Sequence, residues 1–177
     1  MSVPQHHNPG KNTGKGMLIL SFTVALIALT VFFDDLLKNQ VNPNRNPDTR
    51  ELVAGGREVV LQRNRQGHYI AAGKINDIPV TFLVDTGATD VAIPSNIANQ
   101  AGLSRGQAAQ AATANGLVTV YSTKVESLVL GNILLSDIDA SITPTMFNDT
   151  ILLGMSALKH FEFSQSGPQL TIRQLTN

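Results

Sequence analysis

The chain has 177 residues, with 13 basic and 13 acidic side chains, no cysteine and no tryptophan. That length suits one domain plus an extension. The even charge balance argues against a nucleic-acid binder, which carries a basic surplus, and the lack of cysteine excludes disulfides and cysteine-based metal sites.

Residues 1–16 are polar and contain Pro4, Pro9, Gly10, Gly14 and Gly16, so they are expected to form a disordered tail. His6 and His7 lie in this tail, but two adjacent histidines lack the further ligands of a closed metal site. No metal or other cofactor is expected. Met17 to Phe33 carries no charge. As a helix it reaches about 25 Å, at the short end of what crosses a bilayer, and Leu36-Leu37 can add a turn. The run shows no polar face, unlike a core helix. It ends in Phe32-Phe33-Asp34-Asp35, where a cleaved signal peptide would end in small residues. Residues 17–37 therefore read as an uncleaved, single-pass transmembrane signal anchor. Lys11 and Lys15 precede it and Asp34-Asp35 follow, which places residues 1–16 in the cytoplasm and the bulk of the chain outside, although Lys38 and Arg45 weaken the asymmetry. In a bacterium the protein would sit in the inner membrane, facing the periplasm.

Residues 38–56 are rich in Asn, Pro and Gly and read as a linker. From Arg57 to the C-terminus the pattern is short strands separated by turn signals. Val59–Leu61, Tyr69–Ala72 and Ile78–Val84 read as strands, with a hairpin turn at Asn76-Asp77. Val91–Ile93 follows. Ser95 is the expected N-cap of a short helix, Asn96 to Ala101, closed by Gly102. Ala108–Thr113 and Leu117–Tyr121 flank Asn115-Gly116, a strong hairpin signal. Val125–Leu130 and Ile133–Ile142 flank Gly131-Asn132, and Phe161–Phe163 and Leu170–Ile172 end the chain. Residues 57–177 are thus expected to be an all-β domain, a closed or nearly closed barrel with one or two short helices.

One stretch organises this domain. Val80-Thr81-Phe82-Leu83-Val84 runs into Asp85-Thr86-Gly87-Ala88. Apolar and β-branched residues favour a buried strand, and Thr86-Gly87 ends it. An apolar strand does not usually end in a buried acid, because burying a lone charge is costly, although Asp and Gly also serve ordinary turns. Asp85-Thr86-Gly87-Ala88, preceded by Phe82-Leu83-Val84, resembles the active-site motif of the retropepsin-like aspartic proteases. A second segment, Ile151-Leu152-Leu153-Gly154 before Met155-Ser156-Ala157-Leu158, resembles the part of that family that packs beside the catalytic loop. The resemblance covers Arg57 to the C-terminus and says nothing of the first 56 residues. It implies a single-lobed protease barrel with Asp85 catalytic, Thr86, Gly87 and Ala88 in the active-site loop, and Leu152, Leu153 and Gly154 beside it. It also implies a flap at Ala114, Asn115 and Gly116. Where viral members often carry Asp after the Ala, this chain has Thr89, with Asp90 next.

Proteolysis of this type needs two carboxylates sharing one proton around a water. The chain has one Asp-Thr-Gly. The resemblance therefore implies a homodimer in which Asp85 faces its symmetry mate. The expected function is a membrane-anchored aspartic endopeptidase acting on protein or peptide substrates. The alternative is a non-catalytic module that holds an extended peptide on the same barrel by strand addition. His68 and His160 sit in no catalytic pattern, and neither a P-loop nor a dinucleotide fingerprint is present.

Overall fold

The computed structural model describes residues 10–53, 55–113 and 116–175. The chain divides into two compact units, Met1–Lys38 and Asn39–Asn177.

The first unit is formed by most of helix α1, Gly10–Val41. Its 28-residue stretch Gly14–Val41 is long and apolar enough to cross a membrane. At the helical rise it measures about 42 Å, against about 30 Å of bilayer hydrocarbon. Its large apolar side chains, from Met17 to Leu37, are all exposed. The hydroxyls within the run donate to carbonyls on their own helix: Thr23 to Ile19, Thr30 to Leu26 and Ser21 to Leu18. Such internal bonds remove the cost of a bare hydroxyl in apolar surroundings. Residues 10–16 are helical, contrary to the disordered tail expected there. Once a helix is nucleated, each added residue gains a hydrogen bond, so polar residues extend an apolar run.

The second unit is mostly β. In chain order its elements are β1 (Asp48–Glu51), β2 (Arg57–Gln62), β3 (Ile70–Ile75), β4 (Ile78–Val84), β5 (Val91–Pro94), α2 (Ser95–Gln100) and β6 (Ala108–Thr113). Then come β7 (Gly116–Leu130), β8 (Ile133–Thr143), β9 (Thr150–Leu153), α3 (Met155–Leu158), β10 (Glu162–Ser166) and β11 (Gln169–Gln174). Seven strands make one sheet in the order β3-β4-β9-β5-β8-β7-β6, and a further β3–β7 pairing nearly closes it into a ring. The other four form a sheet in the order β1-β2-β11-β10. The shared core is aliphatic. Leu61, Ile75, Ile93, Leu128, Ile142 and Ile172 are fully buried, with Phe82 the one large aromatic among them.

Two pairings in the ring are parallel, β4 with β9 and β5 with β8. They bring the ends of β4 and β9 together, Val84 beside Leu153, although the two residues lie far apart in sequence.

The segment 38–56, expected to be a linker, takes part in the fold. α1 continues to Val41, and β1 pairs antiparallel with β2. Asn44 is 3% exposed; its Nδ2 donates to the carbonyls of Gln62 and Ile70, and its Oδ1 accepts from the Gln62 amide. Asn64, also buried, donates to the Val41 carbonyl. Buried amides are retained where backbone groups meet their donors and acceptors; for Asn44 that backbone belongs to β2 and β3, and for Asn64 to Val41 at the end of α1 and to Gln66 and His68.

Candidate active site

β4 is apolar and β-branched because it lies inside the ring, with Val80 and Phe82 buried. Its last amide, on Val84, donates to the Tyr69 carbonyl at 3.0 Å. The next amide, on Asp85, crosses to the Leu153 carbonyl of β9 at 3.1 Å. The carboxylate is thus set where two parallel strands end together. The turn then closes on itself. The Gly87 amide donates to Asp85 Oδ1 at 2.9 Å, and the Ala88 amide to the Asp85 carbonyl at 3.2 Å. Asp85 and Ala88 are half-buried, and Thr86 and Gly87 are exposed.

The far side of the turn is clasped by the start of α3. The amides of Met155 and Ser156, left without partners inside so short a helix, donate to the carbonyls of Ala88 and Thr89 at 2.8 and 2.9 Å. Ser156 Oγ accepts from the Val91 amide at 3.0 Å, which fixes where β5 begins. Gly154 lies in the narrowest place. A methyl there would overlap the Asp90 carbonyl and come 2.8 Å from that of Ala88.

The structure therefore brings Asp85, Thr86, Gly87 and Ala88 together with Leu152, Leu153 and Gly154. Leu152 pairs with both Leu83 and Ala92, so β9 bridges the strands on either side of the loop. Sequence reasoning did not single out Ser156 or the carbonyls of Ala88 and Thr89. Backbone acceptors leave no residue signature, and the serine's place two residues after the glycine was the single available signal. Of the flap residues, Gly116 opens β7 and pairs with Thr113, whose hydroxyl donates to the Gly116 carbonyl at 2.8 Å. Ala114 and Asn115 lie outside the described residues. No group of three or more potential metal ligands occurs among the described residues.

This fold is similar to the crystal structure of a retropepsin-like aspartic protease from Rickettsia conorii. The TM-score is 0.55 at 26% identity, over 73% of this chain and 94% of that one. The family described as "gag-polyprotein putative aspartyl protease" matches residues 71–160, which hold both the Asp85 turn and the Gly154 clasp. The chain belongs to the retropepsin-like aspartic protease family. Relatives of this retropepsin-like chain include an uncharacterized protein in the cobV 5′ region of Sinorhizobium sp, 31% identical over 92% of this chain and 73% of the relative. Another is an uncharacterized protein of Rickettsia prowazekii (strain Madrid E), 28% identical over 59% of this chain and 46% of its own length.

Proposed function

We propose that this retropepsin-like protein is a membrane-anchored aspartic endopeptidase, active as a homodimer in which Asp85 of each copy supplies half of the catalytic pair. The observation that carries the reading is the Asp85 turn, a carboxylate fixed at the joined ends of β4 and β9 and braced by backbone bonds on both sides. A turn held this way needs no rearrangement when substrate arrives, which is what positioned acid–base chemistry requires. One chain carries one such turn, so the pair forms across a two-fold axis. The Thr86 hydroxyl, on the exposed side, braces the two turns across that axis.

In the dimer the two carboxylates are too close for both to be charged, and they share a proton. The ionised one takes a proton from water, whose oxygen attacks the peptide carbonyl carbon. The protonated one donates to the carbonyl oxygen, and a proton then passes to the leaving nitrogen. Gly87 leaves room for the approaching backbone, and Ala88 lies along the substrate path. The hairpin of β6 and β7 closes over the bound peptide. Residues 17–37 anchor each copy in the inner membrane with the protease domain outside the cytoplasm. Sharing one membrane raises the effective concentration of the two halves.

The decisive experiment uses the full chain in detergent or a nanodisc. Asp85→Asn keeps an oxygen that can accept from the Gly87 amide, so the fold should persist while peptide hydrolysis falls by about a thousandfold or more. Undiminished hydrolysis would refute the assignment. Sidedness is checked separately. The sequence has no cysteine, so one introduced at the exposed Ser104 can be labelled uniquely. An impermeant maleimide should reach it in intact spheroplasts. Labelling only after lysis would reverse the proposed topology.

A further inference from the structure

The parallel strands β4 and β9 have two ends. Val84 and Leu153 lead into the Asp85 turn, while Thr81 and Thr150 lie at the other. At that second end is an open cavity of about 430 Å³. Its floor is apolar, made by Ala72, Val80 and Ile97. Its rim is polar, made by Asn96 and Gln100, one turn apart on α2, and by Asp149. Asn96 Nδ2 donates to Asp149 Oδ1, which fixes the carboxylate across the mouth. Among the described residues nothing donates to its second oxygen, and no lysine, arginine or histidine lines the cavity.

An apolar floor under a carboxylate held by Asn96, with the Gln100 side chain on the same lining, suits a side chain with a long aliphatic stem and a cationic head. Such a head exchanges water for a charge-assisted hydrogen bond while its stem covers the floor. A volume in the range of small-ligand sites leaves room for adjoining backbone as well. We propose that this cavity binds a lysine or arginine side chain of a polypeptide, a contact point separate from the Asp85 turn. The proposal goes beyond the protease reading and does not depend on it, because no part of the cavity belongs to the turn.

The test is an NMR titration of the isotope-labelled full chain in micelles. The probes are acetyl-Ala-Lys-Ala-amide and its norleucine counterpart, which keeps the stem and lacks the charge. The lysine peptide should shift the amides of residues 96–100 and 149–150. The norleucine peptide should bind about tenfold more weakly. Asp149→Asn retains an acceptor for Asn96 and should weaken the lysine peptide by about the same factor. Gln100→Arg, at an exposed position, should abolish binding by placing a tethered guanidinium at the carboxylate, and it serves as the test if Asp149→Asn does not fold. Asp85→Asn should change nothing. Equal affinity for the two peptides, undiminished binding in Gln100→Arg, or loss of binding in Asp85→Asn would overturn the proposal.

Discussion

Gly154 lies directly against the carbonyl of Asp90, so close that no side chain can stand between β9 and the turn that follows Asp85. The glycine is there for this approach. Its φ of −92° and ψ of −174° are open to any residue.

Gly154→Ala should therefore act by collision. The added methyl must push against two backbone carbonyls, those of Asp90 and Ala88, which cannot swing aside as a side chain would. We expect a loss of about 3 kcal/mol or more in stability. Peptide hydrolysis should also fall well below the melting temperature, since the displaced backbone carries the Asp85 turn. A variant with native stability and full activity would contradict this account of the clasp.

Asn44→Ala tests whether the segment after the helix is an integral part of the β unit. The truncation strands the Gln62 amide and the Gln62 and Ile70 carbonyls. The expected cost is about 2–4 kcal/mol. Asn44→Asp should be at least as damaging, because it sets a carboxylate against two carbonyl oxygens. With Tyr69 and Tyr121 as the only tyrosines and no tryptophan, tyrosine fluorescence reports on this unit alone. Its thermal midpoint should drop by about 10 °C. An unchanged midpoint would return residues 38–56 to the status of a linker.

Mixing experiments test the shared site. If activity requires two copies of Asp85, adding Asp85→Asn protein to wild type poisons the mixed dimers. An equal mixture that has exchanged subunits should show about one quarter of the activity of the same total amount of wild type, from random pairing. Half the activity would mean that each chain works alone. Specific activity should also fall on dilution below the dimer dissociation constant.

Much of the barrel was legible from residue patterns. β4 is found where the apolar run placed it. The turn before it uses Asn76 and Asp77 at φ of 45° and 65°, left-handed values that these residue types tolerate, and it pairs Ile75 with Ile78. Gly131-Asn132 likewise joins Leu130 to Ile133. Other features could not be read locally. β7 is a single strand of 15 residues, although its polar middle, Ser122-Thr123-Lys124, reads as a break. It continues because β8 pairs with it throughout that stretch. Ser95, expected to cap α2, is instead its first residue. Pro94 holds the cap position and the Ser95 hydroxyl accepts from Arg105. The structural role of Asn44 was hidden because its partners lie 18 and 26 residues further on. At the site, Asp85 to Ala88 carried a recognisable pattern. The grip of Met155 and Ser156 on that turn is made largely of main-chain groups, and main chain is the same in every sequence.

That grip also orders events during synthesis. The turn at Asp85 depends on residues 153–156, which leave the ribosome some seventy positions later. Contacts that span so much chain form late and slowly. Until residues 153–156 have been made, the loop that carries Asp85 therefore lacks the carbonyl and the two amides that hold it in the folded domain.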